Sequence, residues 1–164
     1  DLANTIGNLL NRTSSMSRKW FNNRVPSNEI SSKDNTLELY AKKTIENYME
    51  HFNSYKIDMA ANVILSLAIN TNLYLNEKQP WTLIKDTNNN SLVSNIIYNV
   101  LESTRIIGLL LLPLLPNLSS KINLQLGSQY DEKLTWKEQL VWGILKHNSN
   151  LPAPNPIIEK LEYE

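Results

Sequence analysis

The chain has 164 residues, with 16 basic and 16 acidic side chains and a formal net charge of zero. This length suits one domain with a single hydrophobic core, and a hydrophobic content of 41% excludes a disordered chain. The absence of cysteine excludes a disulfide scaffold and a thiolate metal site, while only four glycines argue against a glycine-rich nucleotide loop. Zero net charge argues against a general nucleic-acid coat, although a local nucleic-acid site stays open.

Apolar residues recur at helical spacing along most of the chain, and this period predicts the elements in order. The first helix runs to about Phe21, and residues 27–35 form a polar loop. Asp34 or Asn35 then caps a second helix, whose apolar stripe covers residues 37–52. No segment shows sustained period-two alternation, so strands are not expected.

The third helix is predicted to begin with Asp58 as its N-cap and to stop ahead of Pro80. Residues 82–86 then form one short turn, and residues 87–90 form a polar loop. The expected buried face of this helix consists of small and apolar residues: Ala61, Ile64, Leu67, Ala68, Thr71 and Leu75.

The second half of the chain continues the helical pattern. A fourth helix spans about residues 92–111 and meets Pro113. A fifth helix begins at Pro116, where a missing N–H costs little, and ends with Gly127 as its C-cap. A further short helical piece lies within residues 134–145.

These elements predict an all-α fold, an antiparallel helix bundle over residues 1–147. Residues 148–164 form a proline-rich C-terminal tail, because three prolines between Leu151 and Pro156 exclude a regular helix there. The chain opens with Asp1 and lacks an initiator methionine, which predicts that it is a fragment of a longer protein.

The most apolar run extends over about ten residues, from Ile106 to Leu115. A helix that spans a bilayer needs roughly twenty residues, and Pro113 interrupts the run, so we expect a buried helix end. A membrane-associated bundle is the alternative, and it would leave this run exposed.

Candidate catalytic and metal-binding residues are few. His51 and His147 are the only histidines, and neither has a partner at metal-ligand spacing. Glu46 and Glu50 lie one helical turn apart, but such a pair on an exposed face is usually solvated. With no nucleophile elbow, P-loop or metal motif, the sequence predicts no catalytic residue and no metal site.

Asn8, Arg12 and Trp81 remain as candidate binding residues. Asn8 and Arg12 project from one helix face, where an amide and a guanidinium supply the hydrogen-bonding groups that read an unpaired base. Trp81 follows Pro80 at a helix boundary, and an exposed tryptophan on such a rigid corner can stack on a base. The plainer alternative pairs Arg12 with an acidic neighbour, has Asn8 cap or pack locally, and uses Trp81 to plug a helix end.

Four segments, in order along the chain, resemble motifs of one family. Residues 7–12, GNLLNR, resemble the G-N-L-x-[NS]-R segment that opens the anticodon-binding helix bundle of methionyl-tRNA synthetases. Residues 72–85 resemble the N-x-Y…P-W-x-x-x-K segment of that family, residues 111–116 its L-x-P-x-[LM]-P break, and residues 134–136 a short stretch near its end. The tail departs from the pattern, since Ile157 stands where arginine is common.

The resemblance implies how the site works. Asn8, Arg12, Pro80 and Trp81 match the family positions that contact the anticodon of methionine tRNA. Trp81 would stack on an unstacked anticodon base, with Pro80 holding the tryptophan in place. Asn8 and Arg12 would hydrogen-bond to base edges, chiefly to the cytosine that opens the CAU anticodon.

The resemblance also implies a larger enzyme. Its fold type is the anticodon-binding bundle of class Ia synthetases, and the catalytic domain upstream would use ATP to activate methionine and transfer it to the tRNA. The HIGH-like and KMSKS-like motifs of that domain do not occur here, so we expect this fragment to bind methionine tRNA without holding a cofactor or catalysing a reaction. Expected partners are the tRNA anticodon loop and the missing catalytic domain, with no membrane contact and a monomeric state. The short, asparagine-rich chain slightly favours a mitochondrial over a cytoplasmic location.

A geometric criterion separates this interpretation from a helical protein-interaction or scaffold module, in which Trp81 is a hot spot for a partner. Anticodon recognition requires Trp81 to lie close to the face that carries Asn8 and Arg12. Basic side chains are expected to border that face, and the candidates are Arg18, Lys19 and Lys85.

Overall fold

A computed structural model describes residues 2–28 and 34–153 of the chain. Within these residues there is no strand beyond an isolated antiparallel bridge between Arg24 and Asn150. The predicted all-α helix bundle is therefore confirmed. A 3-10 turn (Thr87–Asn89) and these α-helices make up the described elements: α1 (Leu2–Phe21), α2 (Thr36–Asn53), α3 (Ile57–Lys78), α4 (Pro80–Leu83), α5 (Asn90–Leu111), α6 (Pro116–Gln125) and α7 (Trp136–Gln139).

Helix α5 is the centre of the bundle. All of its residues from Val93 to Leu111 are buried, and α1, α2, α3, α4 and α6 pack against it. The sequence explains part of this position, because residues 106–111 are almost entirely apolar and suit burial on every side. The earlier turns also bury seven polar or charged side chains, each of which makes a hydrogen bond: Ser94, Asn95, Asn99, Glu102, Ser103, Thr104 and Arg105.

The central helix also carries a buried ion pair. Arg105 and Glu102 are only 1% and 0% exposed, and the Arg105 guanidinium donates hydrogen bonds to both carboxylate oxygens of Glu102. Arg105 also donates to the backbone carbonyls of Gln139 (2.6 Å) and Val141 (2.8 Å). Glu102 accepts a further hydrogen bond from the backbone N–H of Gly143 (3.0 Å). The pair thus ties the segment after α7 to the middle of α5.

Helices α2 and α3 form an antiparallel hairpin through a short turn, residues 54–56. Tyr55 makes this turn possible with a left-handed backbone conformation, φ 60°. The prediction that Asp58 caps α3 is wrong, because the helix begins one residue earlier, at Ile57. Asp58 instead lies in the first turn, where its negative charge still interacts favourably with the helix dipole.

The predicted buried face of α3 also needs one correction. Ala60 is fully buried, whereas Ala61 is half-buried. The buried stripe therefore extends back from Ile64 by four residues instead of three, and both spacings lie on one helix face. The other five predicted positions of this face are buried: Ile64, Leu67, Ala68, Thr71 and Leu75.

The start of α2 combines the two predicted capping residues. Asn35 occupies the N-cap position, but its side chain makes no capping hydrogen bond. The carboxylate of Asp34 instead accepts hydrogen bonds from the backbone N–H (3.0 Å) and the hydroxyl (2.6 Å) of Thr36, and it lies 3.0 Å from the Lys78 ammonium. Burial opposes ionisation of Asp34, but these partners outweigh that effect and lower the pKa of its carboxyl from 3.8 to about 2.

This carboxylate predicts a pH dependence of stability. The folded-state pKa of Asp34 lies below its ordinary value of 3.8, so the group stabilises the fold above about pH 4. The contribution is lost as the pH falls toward 2. Asp34→Asn is therefore expected to lower the free energy of unfolding by on the order of 2 kcal/mol at pH 7 and by much less near pH 2. Urea unfolding at both pH values measures this difference. Asp58→Asn is the control, and an equal loss for Asp34→Asn at both pH values would contradict the assignment.

The connection between α3 and α5 is more helical than predicted. Pro80 is the first residue of α4, so the helical turn includes Trp81 instead of starting after it. Residues 87–89, expected as a loop, form a 3-10 turn. The side chain of Asp86 starts this turn by accepting a hydrogen bond from the backbone N–H of Asn88 (3.0 Å).

Helix α6 begins at Pro116, as predicted, and ends at Gln125. Leu126 takes the C-cap position, so Gly127 stands one residue beyond the position predicted for it. Gly127 has φ +86°, and its N–H donates to the carbonyl of Leu124 (3.1 Å). The N–H of Ser128 donates to the carbonyl of Asn123 (2.8 Å), which completes a Schellman cap. Glycine is also needed for space, because a Cβ here would collide with the carbonyl oxygen of Asn150.

The helical piece predicted within residues 134–145 is shorter than expected. Only α7 is helical, and a capping box between Thr135 and Glu138 closes its single turn. The turn does not continue, because the carbonyls of Gln139 and Val141 accept hydrogen bonds from Arg105 instead of from a following helical turn.

The described part of the predicted tail, residues 148–153, packs against the loop after α1. The N–H of Leu151 donates to the carbonyl of Asn23 (2.7 Å), and the N–H of Val25 donates to the carbonyl of Ser149 (3.0 Å). The Leu151 side chain is buried. The boundary between bundle and tail at residue 147 stays a prediction, and Ile157 lies outside the described residues.

The apolar run from Ile106 onward is buried as far as Leu111, which confirms a buried helix end. Leu112 and Leu115, beyond the last residue of α5, are exposed. A membrane-associated bundle would expose the whole run, whereas its first six residues are buried. Within residues 2–28 and 34–153, none of the helices combines the length and the hydropathy of a bilayer-spanning segment.

Candidate nucleic-acid interface

A sharp corner between α3 and α4 presents Trp81. Gln79 has a left-handed backbone, φ 47° and ψ 58°, and its N–H donates to the carbonyl of Leu75 (3.2 Å). Pro80 follows as the buried first residue of α4, where its fixed φ suits a helix start. Trp81 comes next and keeps 39% of its surface exposed. The tryptophan therefore sits on a rigid corner, as its sequence predicts.

Arg12 joins this corner to α1 and α3. Its Nη1 donates to Oδ1 of Asn72 and its Nη2 donates to Oδ1 of Asn76, both at 2.9 Å. The Cζ of Arg12 lies 5.6 Å from the centroid of the Trp81 ring, within the range of a cation–π interaction. Three elements thus hold one guanidinium in a fixed position beside an exposed aromatic ring.

Asn8 is exposed on α1, one helical turn before Arg12 and on the same face. Within the described residues, its side chain makes no hydrogen bond. Of the four predicted site residues, the structure brings Arg12 and Trp81 together, and Pro80 is the buried residue directly before Trp81 in the chain. Asn8 extends the same surface along α1.

The plainer alternative for these residues is wrong in two respects. Arg12 donates hydrogen bonds to two asparagines, and in the part of the chain that the structure describes it forms no ion pair with an acidic residue. Trp81 is too exposed to plug a helix end. The geometric criterion for a shared face is satisfied by the contact between Arg12 and Trp81.

The predicted border of basic residues is only partly where we expected it. Lys85 is exposed one turn after Trp81. Arg18 and Lys19 lie further along α1, where they line a separate cleft with Arg24. The displacement follows from the length of α1, because its last turn lies beyond the Arg12 side chain.

Asn72 and Asn76 are the site residues that sequence reasoning missed. Both point their Oδ1 atoms at Arg12, and their spacing of four residues puts them on one face of α3. Asn72 already belonged to a recognised motif, and a second asparagine one turn later was the available signal. Their role could not be assigned without knowing which helix packs against α3.

Among the described residues, no group of three His, Cys, Asp or Glu side chains could hold a metal ion. Glu46 is exposed and lies 3.6 Å from Lys43, and Glu50 is also exposed, so this pair is solvated. His147 is exposed and lies against the ring of Tyr98. The shared surface of Trp81 and Arg12 is therefore the best-supported candidate site.

The fold is an all-α bundle, and its surface holds an exposed aromatic ring beside a fixed guanidinium. Proteins read unpaired bases by stacking on them and by hydrogen bonds to their edges. These groups therefore suit a helical domain that binds unpaired bases. Comparison with known families then identifies the chain. The model of the family described as the anticodon binding domain of methionyl tRNA ligase matches residues 25–164. The chain belongs to this family.

Individual relatives support the same conclusion. Methionine–tRNA ligase 1 of Bacillus cereus is 32% identical over 166 residues, which cover 100% of this chain and 25% of the relative. Methionine–tRNA ligase of Nostoc is 33% identical over 169 residues, covering 99% of this chain and 32% of the relative. These alignments include α1, which begins before the matched family region. The chain spans about a quarter to a third of the length of these relatives.

Solved structures show the same fold. The apo form of Mycobacterium tuberculosis methionyl-tRNA synthetase superposes with a TM-score of 0.87 at 27% identity, covering 100% of this chain and 33% of that one. The same enzyme bound by methionyl-adenylate gives a TM-score of 0.84 at 29% identity, covering 96% of this chain and 31% of that one. The bundle is thus similar to one third of a larger synthetase.

Proposed function

We propose that this domain recognises the CAU anticodon of methionine tRNA through Trp81, Arg12 and Asn8. The observation that carries the proposal is the contact between Arg12 and Trp81, which combines a stacking surface and a hydrogen-bonding group at one point. Membership in the anticodon-binding family supports tRNA as the ligand. The combination suits an anticodon loop, whose bases can be splayed out from their stack.

Each residue has a distinct task in this proposal. Trp81 stacks on one anticodon base with the exposed part of its ring, and Pro80 fixes the backbone that carries it. Arg12 uses two of its five N–H groups to bind Asn72 and Asn76, so further N–H groups can donate to acceptors on a base edge.

Cytosine is the base that this set of groups fits. Its Watson–Crick edge has two acceptors, O2 and N3, beside the N4 amino donor. Arg12 supplies donors for the acceptors, and the amide of Asn8 supplies an acceptor for the amino group. Because Asn72 and Asn76 hold Arg12 before the RNA arrives, little conformational freedom is lost on binding.

The whole protein is, in this proposal, an ATP-dependent methionine–tRNA ligase. Its catalytic domain, which would bind ATP and methionine, corresponds to the part of the relatives that this chain does not cover. The bundle contributes recognition of the tRNA and performs no chemistry of its own. A monomeric state and a mitochondrial location stay predictions.

A fluorescence titration with two RNA hairpins tests the proposal. One hairpin carries CAU and the other differs only in the first anticodon base. The chain has four tryptophans, and Trp20, Trp136 and Trp142 are all half-buried, so the Trp81→Phe variant identifies the signal of Trp81. Stronger quenching by the CAU hairpin, reduced in Trp81→Phe, is the expected result. Equal quenching by both hairpins would contradict the proposed recognition of the first anticodon base and would favour the protein-interaction module.

Arg12→Ala is expected to reduce discrimination between these hairpins by roughly tenfold, because a well-placed bidentate contact distinguishes bases by about 1–3 kcal/mol. Competition binding of the two hairpins measures the ratio of affinities, and thermal unfolding checks that the bundle survives the loss of the bonds to α3. Asn72→Ala is the companion variant, with a smaller loss expected because Asn76 still holds the guanidinium. If Arg12→Ala weakened both hairpins equally, Arg12 would be a phosphate contact and not a reader.

A further inference from the structure

A second polar cleft lies at the C-terminal end of α1, separate from the corner that carries Trp81. It is open to solvent, has a volume of about 840 Å³, and is lined by residues from α1, from the loop after it and from the start of the tail. Its volume falls within the roughly 300–1,000 Å³ of known ligand sites. We call it the basic cleft, after the cationic and titratable side chains Arg18, Lys19, Arg24 and His147.

The charge of the basic cleft is one-sided, although the chain as a whole is neutral. Among residues 2–28 and 34–153, no aspartate or glutamate lines it. Helix α1 contains no acidic residue at all, and its three charged residues are Arg12, Arg18 and Lys19. Within the described residues, Arg18, Lys19 and Arg24 form no ion pair with a carboxylate. The described lining of the cleft therefore carries positive charge without a carboxylate beside it.

Part of this charge is held in place before any ligand binds. Nη1 of Arg24 donates to the backbone carbonyl of Asn148 (2.9 Å), and the backbone of Arg24 pairs with Asn150. The half-buried rings of Trp20 and Phe21 form an apolar wall beside it. Basic residues in the last turn of a helix are often explained by the helix dipole alone. Arg24 lies beyond the helix, so the dipole does not account for it.

The cleft does not include the corner that carries Trp81, but it lies on the same face of α1 as Arg12. Lys19 follows Arg12 by seven residues, which is close to two full helical turns, so both lie on one face of α1. The two positions are about 10 Å apart along the helix axis, at ~1.5 Å per residue. An RNA strand whose bases contact Arg12 therefore needs only a few further nucleotides to bring its phosphates to the cleft.

We infer that the basic cleft binds backbone phosphates of the RNA strand whose bases contact Arg12 and Trp81. This inference rests on the proposed function. Phosphate contacts position a nucleic acid without reading its sequence, so the two sites divide the work between register and specificity. An acidic protein surface, such as one on the catalytic domain, is the competing occupant. The position of the cleft on the same face of α1 as Arg12 favours RNA.

The test compares two double variants of the full chain. Arg18→Gln/Lys19→Gln removes two charges from the basic cleft, and Lys42→Gln/Lys43→Gln removes two from α2, where Lys42 and Lys43 are exposed. Glutamine keeps the helical preference of both segments. Binding of the CAU hairpin and of its first-base variant is measured from low to moderate salt, and thermal unfolding checks the fold of each variant.

The cleft variant is expected to weaken both hairpins equally, by roughly tenfold at low salt, and to flatten the dependence of log K on log salt by roughly 0.7 per phosphate lost. The α2 variant is expected to match the wild type. Unchanged affinity and slope in the cleft variant would overturn the inference and favour the acidic protein surface, as would an equal loss in the α2 variant. Failure of the proposed function looks different, because the wild type would then bind both hairpins equally. Absence of binding to either hairpin at low salt would overturn both.

Discussion

Replacing Arg105 with methionine is expected to lower the free energy of unfolding by about 3–5 kcal/mol, a large part of the stability of a typical domain. The cause is the partner that stays behind. Glu102 is 0% exposed, and without Arg105 its carboxylate is a buried charge with no counter-ion. The carbonyls of Gln139 and Val141 also lose their donor, so the segment after α7 is expected to detach from α5.

A double-mutant cycle distinguishes the cost of the orphaned charge from the value of the pair. Glu102→Gln removes the charge but keeps an oxygen that can accept the hydrogen bond from the N–H of Gly143. The combination of Glu102→Gln with Arg105→Met is therefore expected to recover part of the lost stability, as measured by urea unfolding. A double variant as unstable as Arg105→Met alone would show that the lost carbonyl contacts, and not the buried charge, cause the effect.

Trp81→Ala is expected to produce the largest loss of RNA binding, on the order of 1–3 kcal/mol, or about 5- to 150-fold in affinity for the CAU hairpin. Two effects add to the lost stacking surface. Arg12 loses the ring that lies 5.6 Å from its Cζ, and the guanidinium gains freedom that binding must then remove. The fold should survive, because Trp81 is partly exposed while Pro80 carries the buried contact at this corner.

Two variants make the result specific to the aromatic ring. Trp81→Phe keeps a smaller stacking surface and is expected to fall between the wild type and Trp81→Ala. Leu124→Ala removes an exposed apolar side chain from α6 and is expected to leave hairpin affinity unchanged. Isothermal titration with the CAU hairpin measures all three. Equal affinity of Trp81→Ala and the wild type would remove Trp81 from the site.

The helices were predictable because apolar residues recur at helical spacing along them and no segment alternates with period two. The ends of the helices were harder to predict, because several neighbouring residues can serve as the first or the last residue of a helix. Asp58 has the right side chain for an N-cap, yet α3 starts before it. In contrast, Pro116 marks the start of α6 correctly, since a missing N–H leaves few alternatives. The left-handed φ of Gly127 indicates the other end to within one residue, because Leu126 is the C-cap.

The residues of the candidate site were predictable from the sequence, but the contacts that hold Arg12 in place were not. Proline before tryptophan indicated the corner, and family motifs indicated Arg12 and Trp81 together. The hold that Asn72 and Asn76 exert on Arg12 depends on how two helices pack, and periodicity carries no information on that. The basic cleft likewise forms only because the tail returns to the end of α1, far from it in sequence.

The enclosure of α5 determines how the domain fluctuates. Its backbone amides are shielded by neighbouring helices on every side, so they are expected to exchange with deuterium only when the whole bundle opens. Helices α1, α3 and α4, which carry the proposed RNA-binding residues, all rest on this helix. Deuterium uptake should therefore begin at exposed turns away from this helix, such as residues 54–56, where the chain can open without disturbing α5. The slow exchange of α5 would then report on the same packing that keeps the recognition surface in place.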